Sequence, residues 1–234
     1  MRYLRTIGAA VALCLSSQAY AMTMTQEKPQ GTTPVLLLQG SIVEGDYKQF
    51  LTISNSVAKA YPNTKPYVYL NSSGGKVYDA SKIATVLRDH TVMVDSGKKC
   101  LSACFILFAA GKNRFIGKGA NIGVHSTYNG VSRVEDVESQ GATVDMSRRL
   151  TEYGVTPYII GKLVTTGYSD MYYLSEADLL AMRVTILDGK TTTAPPPSAS
   201  SSDEWRDGVS WGFLILFGII AAVNRYKKWQ NNNA

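Results

Sequence analysis

The feature that most constrains this chain is a repeated alternation between short apolar, β-rich runs and segments with helical periodicity. Such alternation is typical of βαβ crossovers, in which helices cover both faces of a mostly parallel sheet. The pattern therefore predicts an α/β domain over residues 34–190. Strands are predicted at 35–38, 67–70, 91–95, 114–116 and 121–125, and helices at 47–61, 78–89, 103–110 and 137–153, from 157 onward, and at 176–182.

The N-terminal segment, residues 1–21, has the pattern of a secretory signal peptide. A basic start is followed by an apolar stretch at 6–15 and a small-x-small sequence at 19–21, which predicts cleavage after Ala21. The apolar stretch is about half the length of a membrane span. Because a secretory signal peptide directs export, the domain is expected to lie outside the cytoplasm. The polar residues 22–33, which follow the cleavage site, are predicted to form a flexible leader.

The C-terminal segment has the pattern of a membrane anchor. A Pro/Ser/Thr-rich linker at 191–207 leads to a transmembrane helix predicted at 208–224, whose central run carries no charge. The basic tail at 225–234 is predicted to be cytoplasmic, which would place the domain in the periplasm on the inner membrane. An amphipathic or buried helix is the alternative, disfavoured because the run is apolar on every face.

The charge of the chain argues against a nucleic-acid partner. The formal net charge is +6, but removing the six basic and three acidic side chains outside 22–202 leaves 18 basic and 15 acidic ones. No stripe of Lys and Arg interleaved with aromatic residues occurs. We therefore expect no nucleic-acid binding.

Candidate functional residues follow three of the predicted strands. In parallel sheets ligands bind beyond the carboxyl ends of strands, here after Leu70, Asp95 and Val124. Gly74 and Gly75 follow the first of these strands. Their backbone N–H groups could bind an oxyanion, although a tight βα turn is the more ordinary role of paired glycines.

Ser102 and His125 are the candidate nucleophile and general base. Ser102 precedes a helix that is apolar on all sides, so its position is fixed by the core and the helix dipole favours negative charge there. A helix cap is the ordinary alternative, and the G-x-S-x-G context of α/β-hydrolases is absent. His125 ends a strand, where a structural role is the alternative. His90 is interpreted as a solvated histidine at a helix end.

Three further residues are candidates for roles next to Ser102 and His125. Asp170 lies between two predicted helices and could orient His125, or could be a simple turn residue. Cys100 and Cys104 bracket Ser102 and are candidates for a disulfide in an oxidising compartment, although the sequence does not determine whether one helical turn allows the bridge. No third and fourth ligand at zinc spacing occurs, so no metal is expected.

Four motifs in order carry a resemblance to a known family. They read N-S-S-G-G-K-V, C-L-S-A-C, N-I-G-V-H-S and D-M-Y-Y-L-S-E-A-D. Over residues 35–190 the chain resembles the proteolytic subunit of Clp protease, within the crotonase-like superfold, and especially its exported relatives. The resemblance implies a ββα superhelix with a mostly parallel sheet. It also implies a serine peptidase with Ser102 as nucleophile, His125 as general base, Asp170 as orienting acid, and the backbone N–H groups of Gly74 and Ala103 as the oxyanion hole.

The chain departs from the family pattern at two points. Ser73 replaces the usual proline of the N-S-P-G-G motif, and one extra residue stands between Asp170 and the following L-S pair. Cys100 and Cys104 resemble the C-x-S-A-C of exported members. An ATP-driven unfoldase is not implied, because the periplasm lacks ATP, whereas self-association is typical of the superfold.

The sequence therefore predicts a membrane-tethered, ATP-independent periplasmic serine endopeptidase without a cofactor. It would cleave peptides or unfolded protein segments through an ester on Ser102. Three alternatives remain: a non-catalytic peptide-binding or scaffold protein, an acyl or thioester hydrolase, and a Ser–Lys dyad that uses Lys98 or Lys99.

Overall fold

The computed structural model describes residues 21–30 and 33–187. The strands are β1 Thr23–Gln30, β2 Thr33–Gln39, β3 Tyr67–Asn71, β4 Thr91–Val94, β5 Lys99–Leu101, β6 Asn113–Gly117, β7 Asn121–Val124, β8 Tyr172–Tyr173 and β9 Thr185–Leu187. The helices are α1 Asp46–Ala60, α2 Val77–Leu87, α3 Cys104–Ala110, α4 Val137–Glu152, α5 Pro157–Thr165 and α6 Glu176–Ala181.

Two sheets organise these elements. The larger sheet has the strand order β1-β2-β3-β4-β6-β9, in which every neighbouring pair is parallel except β1 and β2. The smaller sheet has the order β5-β7-β8, with β5 parallel and β8 antiparallel to β7. The predicted α/β architecture with a mostly parallel sheet is confirmed.

Helix α3 lies in the centre of the core, as its sequence predicts. All seven of its residues are buried, and Phe105 and Phe108 are completely inaccessible to solvent. A helix with no polar face can only be stable when it is surrounded by apolar side chains. The start of α3 at Cys104, two residues after Ser102, is therefore held by packing on all sides.

Strand β1 corrects the prediction of a flexible leader at 22–33. It pairs antiparallel with β2, and Met22 and Met24 are buried while the intervening Thr23 is exposed. Period-two alternation of apolar and polar residues is the pattern of a half-buried strand. The thioethers of Met22 and Met24 supply enough apolar surface to dock this segment, although most of its other residues are polar.

Three short strands are also absent from the sequence prediction: β5, β8 and β9. Each has two or three residues. Segments of this length are too short to show a hydrophobic period, and only their pairing with distant strands defines them.

None of the helices within 21–30 and 33–187 is long and apolar enough to cross a membrane. The predicted linker, transmembrane helix and basic tail lie outside the described residues, as does the predicted signal peptide apart from Ala21.

Candidate active site

The carboxyl ends of three strands meet at the candidate site. Ser72, just after β3, forms a parallel bridge with Cys100, and the Leu101 N–H donates to the Ser72 carbonyl at 3.0 Å. On the other side of β5, the Ser102 N–H donates to the Gly123 carbonyl at 2.9 Å. Strand β5 therefore connects the turn after β3 with β7, and it brings segments distant in sequence to one edge.

Ser102 has a left-handed backbone conformation, with φ of 55°. Only two other non-glycine residues within the described part of the chain, Arg133 and Arg183, have positive φ. Such a conformation is unfavourable for a side chain with a Cβ and persists only where surrounding structure enforces it. Here the chain passes from β5 into α3 through only two residues, Ser102 and Ala103. A strained strand-to-helix turn is also where α/β-hydrolases expose their nucleophile.

A disulfide closes this turn. Cys100 lies in β5 and Cys104 is the first residue of α3, and their Cα atoms are 5.2 Å apart. Both cysteines are fully buried. The sequence alone did not determine whether one helical turn allows the bridge. The two cysteines do not share one helix, because Cys100 lies in β5 and the turn at Ser102 separates it from Cys104 in α3.

His125 follows β7 directly, and β7 is the strand that pairs with β5 just before Ser102. Leu101 pairs with Gly123, so continuing the parallel register brings Ser102 next to Val124 and one residue from His125. The His125 side chain is 7% exposed, and its Nδ1 is buried with no partner among the described residues. No direct hydrogen bond joins the two side chains in this part of the chain.

Burial lowers the pKa of His125 below its ordinary value. The Ser126 backbone and the negative charge of Glu135 oppose this effect, although the Ser126 backbone does not complete a hydrogen bond to Nδ1. The net lowering of the pKa means that the imidazole is mainly neutral at pH 7. A general base must be in this protonation state.

Gly74 leaves space beside the Ser102 turn. Its φ is +94°, and a Cβ at this position would lie 2.7 Å from the Ser102 Cβ and 2.9 Å from the Ala103 nitrogen. The Ala103 N–H donates to no acceptor in the described chain, whereas the Gly74 N–H donates to the Ser72 Oγ at 3.0 Å. Of the two predicted oxyanion donors, Ala103 is therefore free and Gly74 is engaged by a side chain.

No hydrogen bond joins Asp170 and His125 within the described residues. Its side chain is exposed, its N–H donates to the Gly167 carbonyl, and its carboxylate accepts a long hydrogen bond of 3.5 Å from Ser169. The antiparallel register of β7 and β8, continued by one residue, instead puts Met171 opposite His125. The role of Asp170 as orienting acid stays a prediction.

Glu135 is the acidic residue that sequence analysis missed. Its Oε1 accepts a short hydrogen bond from the Ser126 hydroxyl and another from the Tyr168 N–H at 3.2 Å. The carboxylate therefore links the segment after His125 to the loop before β8. No local motif marks this residue, since it is one acid in a polar stretch.

Two other predictions concern residues away from the site. His90 is buried rather than solvated, because the chain packs it between α2 and β4, and burial lowers its pKa. Lys98 and Lys99 are exposed. Within the described residues, no group of three or more His, Cys, Asp or Glu side chains could hold a metal ion.

The comparisons with known proteins identify the family of the chain. The family model for Clp protease matches residues 35–156, just over half of the chain. The chain belongs to the Clp protease family. Membership of the Clp protease family indicates a serine peptidase, and the segment matched contains Gly74, Ser102, Ala103 and His125.

Two solved structures share the Clp protease fold. A point mutant of ClpP1 from Listeria monocytogenes, in which an asparagine is replaced by aspartate, matches with a TM-score of 0.50 at 19% identity, covering 66% of this chain and 91% of that chain. A serine-to-alanine mutant of the 1510-N membrane-bound stomatin-specific protease matches with a TM-score of 0.51 at 15% identity, covering 66% and 78%. At these identities the likeness concerns the fold alone. No curated protein matches the chain significantly.

Proposed function

We propose that this protein is a serine endopeptidase in which Ser102 is the nucleophile and His125 is the general base. Its substrates are peptides or unfolded protein segments, and its domain is exported and tethered to the inner membrane by the segment at 208–224. The observation that carries the proposal is the strained, left-handed Ser102 between β5 and a fully buried helix, beside a buried and mainly neutral histidine.

The proposed reaction has two stages. The Ser102 Oγ attacks the peptide carbonyl carbon while the His125 Nε2 accepts its proton, and the protonated imidazole then donates that proton to the departing amine as the C–N bond breaks. A water molecule next attacks the ester on Ser102. His125 accepts a proton from this water and returns it to Ser102 when the acid product leaves.

The Ala103 N–H supports this chemistry because it has no acceptor among the described residues and lies at the start of α3. A free backbone donor aimed at developing negative charge is the usual form of an oxyanion hole. Gly74 is the second proposed donor. Its N–H would exchange the Ser72 hydroxyl for the oxyanion when substrate binds.

A peptide-binding protein without activity is the competing function. Two observations favour it: within the described residues Asp170 makes no hydrogen bond to His125, and the Gly74 N–H is already engaged. Asp170, the orienting acid that the family resemblance implies, would have to approach His125 from its present exposed position.

Membrane tethering rests on the sequence pattern of the C-terminal segment. The stomatin-specific protease of the same fold is itself described as membrane-bound, which supports the combination of this fold with a membrane location. A homo-oligomer is proposed from the resemblance to the superfold.

Labelling with a fluorophosphonate probe tests the function. The full-length protein in detergent is expected to form a covalent adduct at Ser102, identified by mass spectrometry of the labelled peptide. Labelling is expected to be lost in Ser102→Ala and reduced at least about 100-fold in rate in His125→Ala, because a positioned base contributes this much or more.

Two variants serve as matched controls. Ser132→Ala removes an exposed loop hydroxyl, and His90→Gln removes the only other histidine. Both are expected to label like the wild type. An unlabelled wild-type protein with an intact fold would contradict the peptidase and favour the binding protein.

A further inference from the structure

The unpartnered Nδ1 of His125 is the starting point of this inference, which rests on the proposed peptidase function. His125 is buried, and its Nδ1 has no partner in the described chain. In a serine peptidase, an acid behind this nitrogen holds the imidazole in the required tautomer and stabilises the imidazolium that forms during acyl transfer. The question is which acid of this chain can act on His125.

Asp170 is poorly situated for this role. Continuing the register of β7 and β8 puts Met171 opposite His125, and Asp170 lies before it in a turn, with its N–H bonded to the Gly167 carbonyl and its side chain exposed. The Met171 sulfur also lies against Gly123, since a Cβ built on Gly123 would be 2.7 Å from it. An uncharged thioether therefore lies against β7, the strand that ends just before His125.

Glu135 is held beside Ser126, the residue that follows His125. Its Oε1 accepts hydrogen bonds from the hydroxyl of Ser126, the residue next to His125, and from the Tyr168 N–H. Ser126 is itself buried, and its N–H donates to the Thr166 carbonyl at 2.8 Å. Glu135 is itself exposed, so these two hydrogen bonds, from two different segments, are what fix its carboxylate beside Ser126.

Its charge acts on the imidazole as well. Glu135 is the charged side chain whose field raises the pKa of His125, opposing the effect of burial. The second carboxylate oxygen, Oε2, accepts no hydrogen bond from the described residues. This oxygen remains available when His125 becomes positively charged.

We propose that Glu135, and not Asp170, is the acid that positions His125, acting through its hydrogen bond to Ser126 and through its charge. Glu135 is a positioning residue in this assignment, since it does not touch the substrate.

Titration of the two histidines by NMR tests the assignment. The chain has two histidines, so ¹³Cε1-labelled histidine in the full-length protein in detergent gives two signals, which His90→Gln assigns. In Glu135→Gln the pKa of His125 is expected to decrease, because a negative charge that favours the imidazolium is removed. The pKa of His90 is expected to stay unchanged and serves as the internal reference.

The rate of fluorophosphonate labelling gives the second readout. It is expected to decrease roughly tenfold or more in Glu135→Gln, since loss of the acid behind a catalytic histidine costs up to about 10⁴-fold. The acid limb of the pH–rate profile is expected to move to lower pH together with the pKa of His125. A purely structural defect would lower the amount of active protein without moving this limb.

Matched variants complete the design. Glu138→Gln removes the same charge from an exposed position in the first turn of α4, and it is expected to leave the pKa of His125 and the labelling rate unchanged. Ser126→Ala keeps the charge of Glu135 but removes the hydroxyl that holds it. This second variant is expected to reduce labelling with a smaller decrease in the pKa of His125.

The outcomes separate the inference from the function on which it rests. Wild-type protein that labels, with Glu135→Gln matching Glu138→Gln in both readouts, would overturn the assignment alone. Changes seen in Asp170→Asn instead would overturn it in favour of Asp170. A folded wild-type protein that does not label would overturn the peptidase and this inference together.

Discussion

Gly74 is constrained mainly by the backbone atoms of the neighbouring turn around Ser102. Gly74 has a positive φ, and a Cβ there would approach the Leu101 carbonyl to 2.6 Å as well as Ser102 and Ala103. These neighbours belong to the strained turn itself, which cannot move away without disturbing Ser102. Gly74 is therefore required both for its conformation and for the space it leaves.

Gly74→Ala is expected to destabilise the protein by at least about 2 kcal/mol, because it adds steric overlap to an unfavourable φ. Gly45→Ala is the matched control, since Gly45 has the same φ of +94° with nothing within 4 Å of a built Cβ. Urea unfolding measures the difference. Equal stability of the two variants would contradict the close approach at Gly74.

The two histidines predict a pH dependence of stability. Burial lowers the pKa of both His90 and His125 in the folded state. The unfolded chain then binds protons at a higher pH, near its ordinary value of about 6.5, so stability is complete above that pH and decreases as the pH falls below it. The charge of Lys65 adds to the effect at His90, and that of Asp89 opposes it.

His90→Gln is expected to reduce the loss of melting temperature between about pH 7 and pH 5.5, because one of the two buried protonation sites is removed. Thermal melts of the variant and the wild type across this range provide the measurement. A melting temperature that changes equally with pH in both proteins would show that His90 is not coupled to folding.

At the scale of elements, α3 and β5 act as one unit around Ser102. Helix α3 is buried on every side, β5 is paired on both sides, and the disulfide between Cys100 and Cys104 joins them. Sequence analysis identified the helix from its composition but missed the strand. The pairing of β5 depends on the Ser72 region and on β7, which lie far from it in the chain.

Removal of the disulfide in Cys100→Ala/Cys104→Ala is expected to cost about 2 kcal/mol, the estimate for a loop of roughly five residues. The rate of Ser102 labelling is expected to decrease as well, because the turn is less restrained. Each single variant should lower the free energy of unfolding nearly as much as the double variant, since either substitution breaks the bridge. Additive losses in unfolding experiments would contradict this coupling.

At the scale of the whole molecule, the domain and the proposed anchor are separable in sequence. The described domain ends at Leu187, and the linker predicted at 191–207 precedes the apolar run. A Pro/Ser/Thr-rich linker keeps a domain at a distance from a membrane without contributing to its core. The proposed activity should therefore depend on the domain and not on the anchor.

Deletion of residues 204–234 is expected to move the protein from the membrane fraction to the soluble fraction, with Ser102 still labelled. Deletion of 229–234 alone is the control and is expected to leave the protein in the membrane. Fractionation followed by immunoblotting measures both. A shortened chain that still sediments with membranes would contradict the anchor.

Local patterns in the sequence determined the fold class, most of the helices and strands, and the positions of Ser102 and His125 at a helix start and a strand end. These features depend on residues within a few turns or strand positions of one another, so periodicity is sufficient to predict them. The polar segment that forms β1 is the clearest exception, because it pairs with β2 although only two of its residues, Met22 and Met24, are buried methionines among mostly polar neighbours.

Only the tertiary structure shows which segments lie next to His125. A shift of one residue in the pairing of β8 reverses the faces of the strand, so Met171 takes the position expected for Asp170. Likewise, the contact of Glu135 with Ser126 brings together segments whose proximity no local pattern records. Register and burial are set by contacts between distant segments, whereas local sequence specifies only the elements that make those contacts.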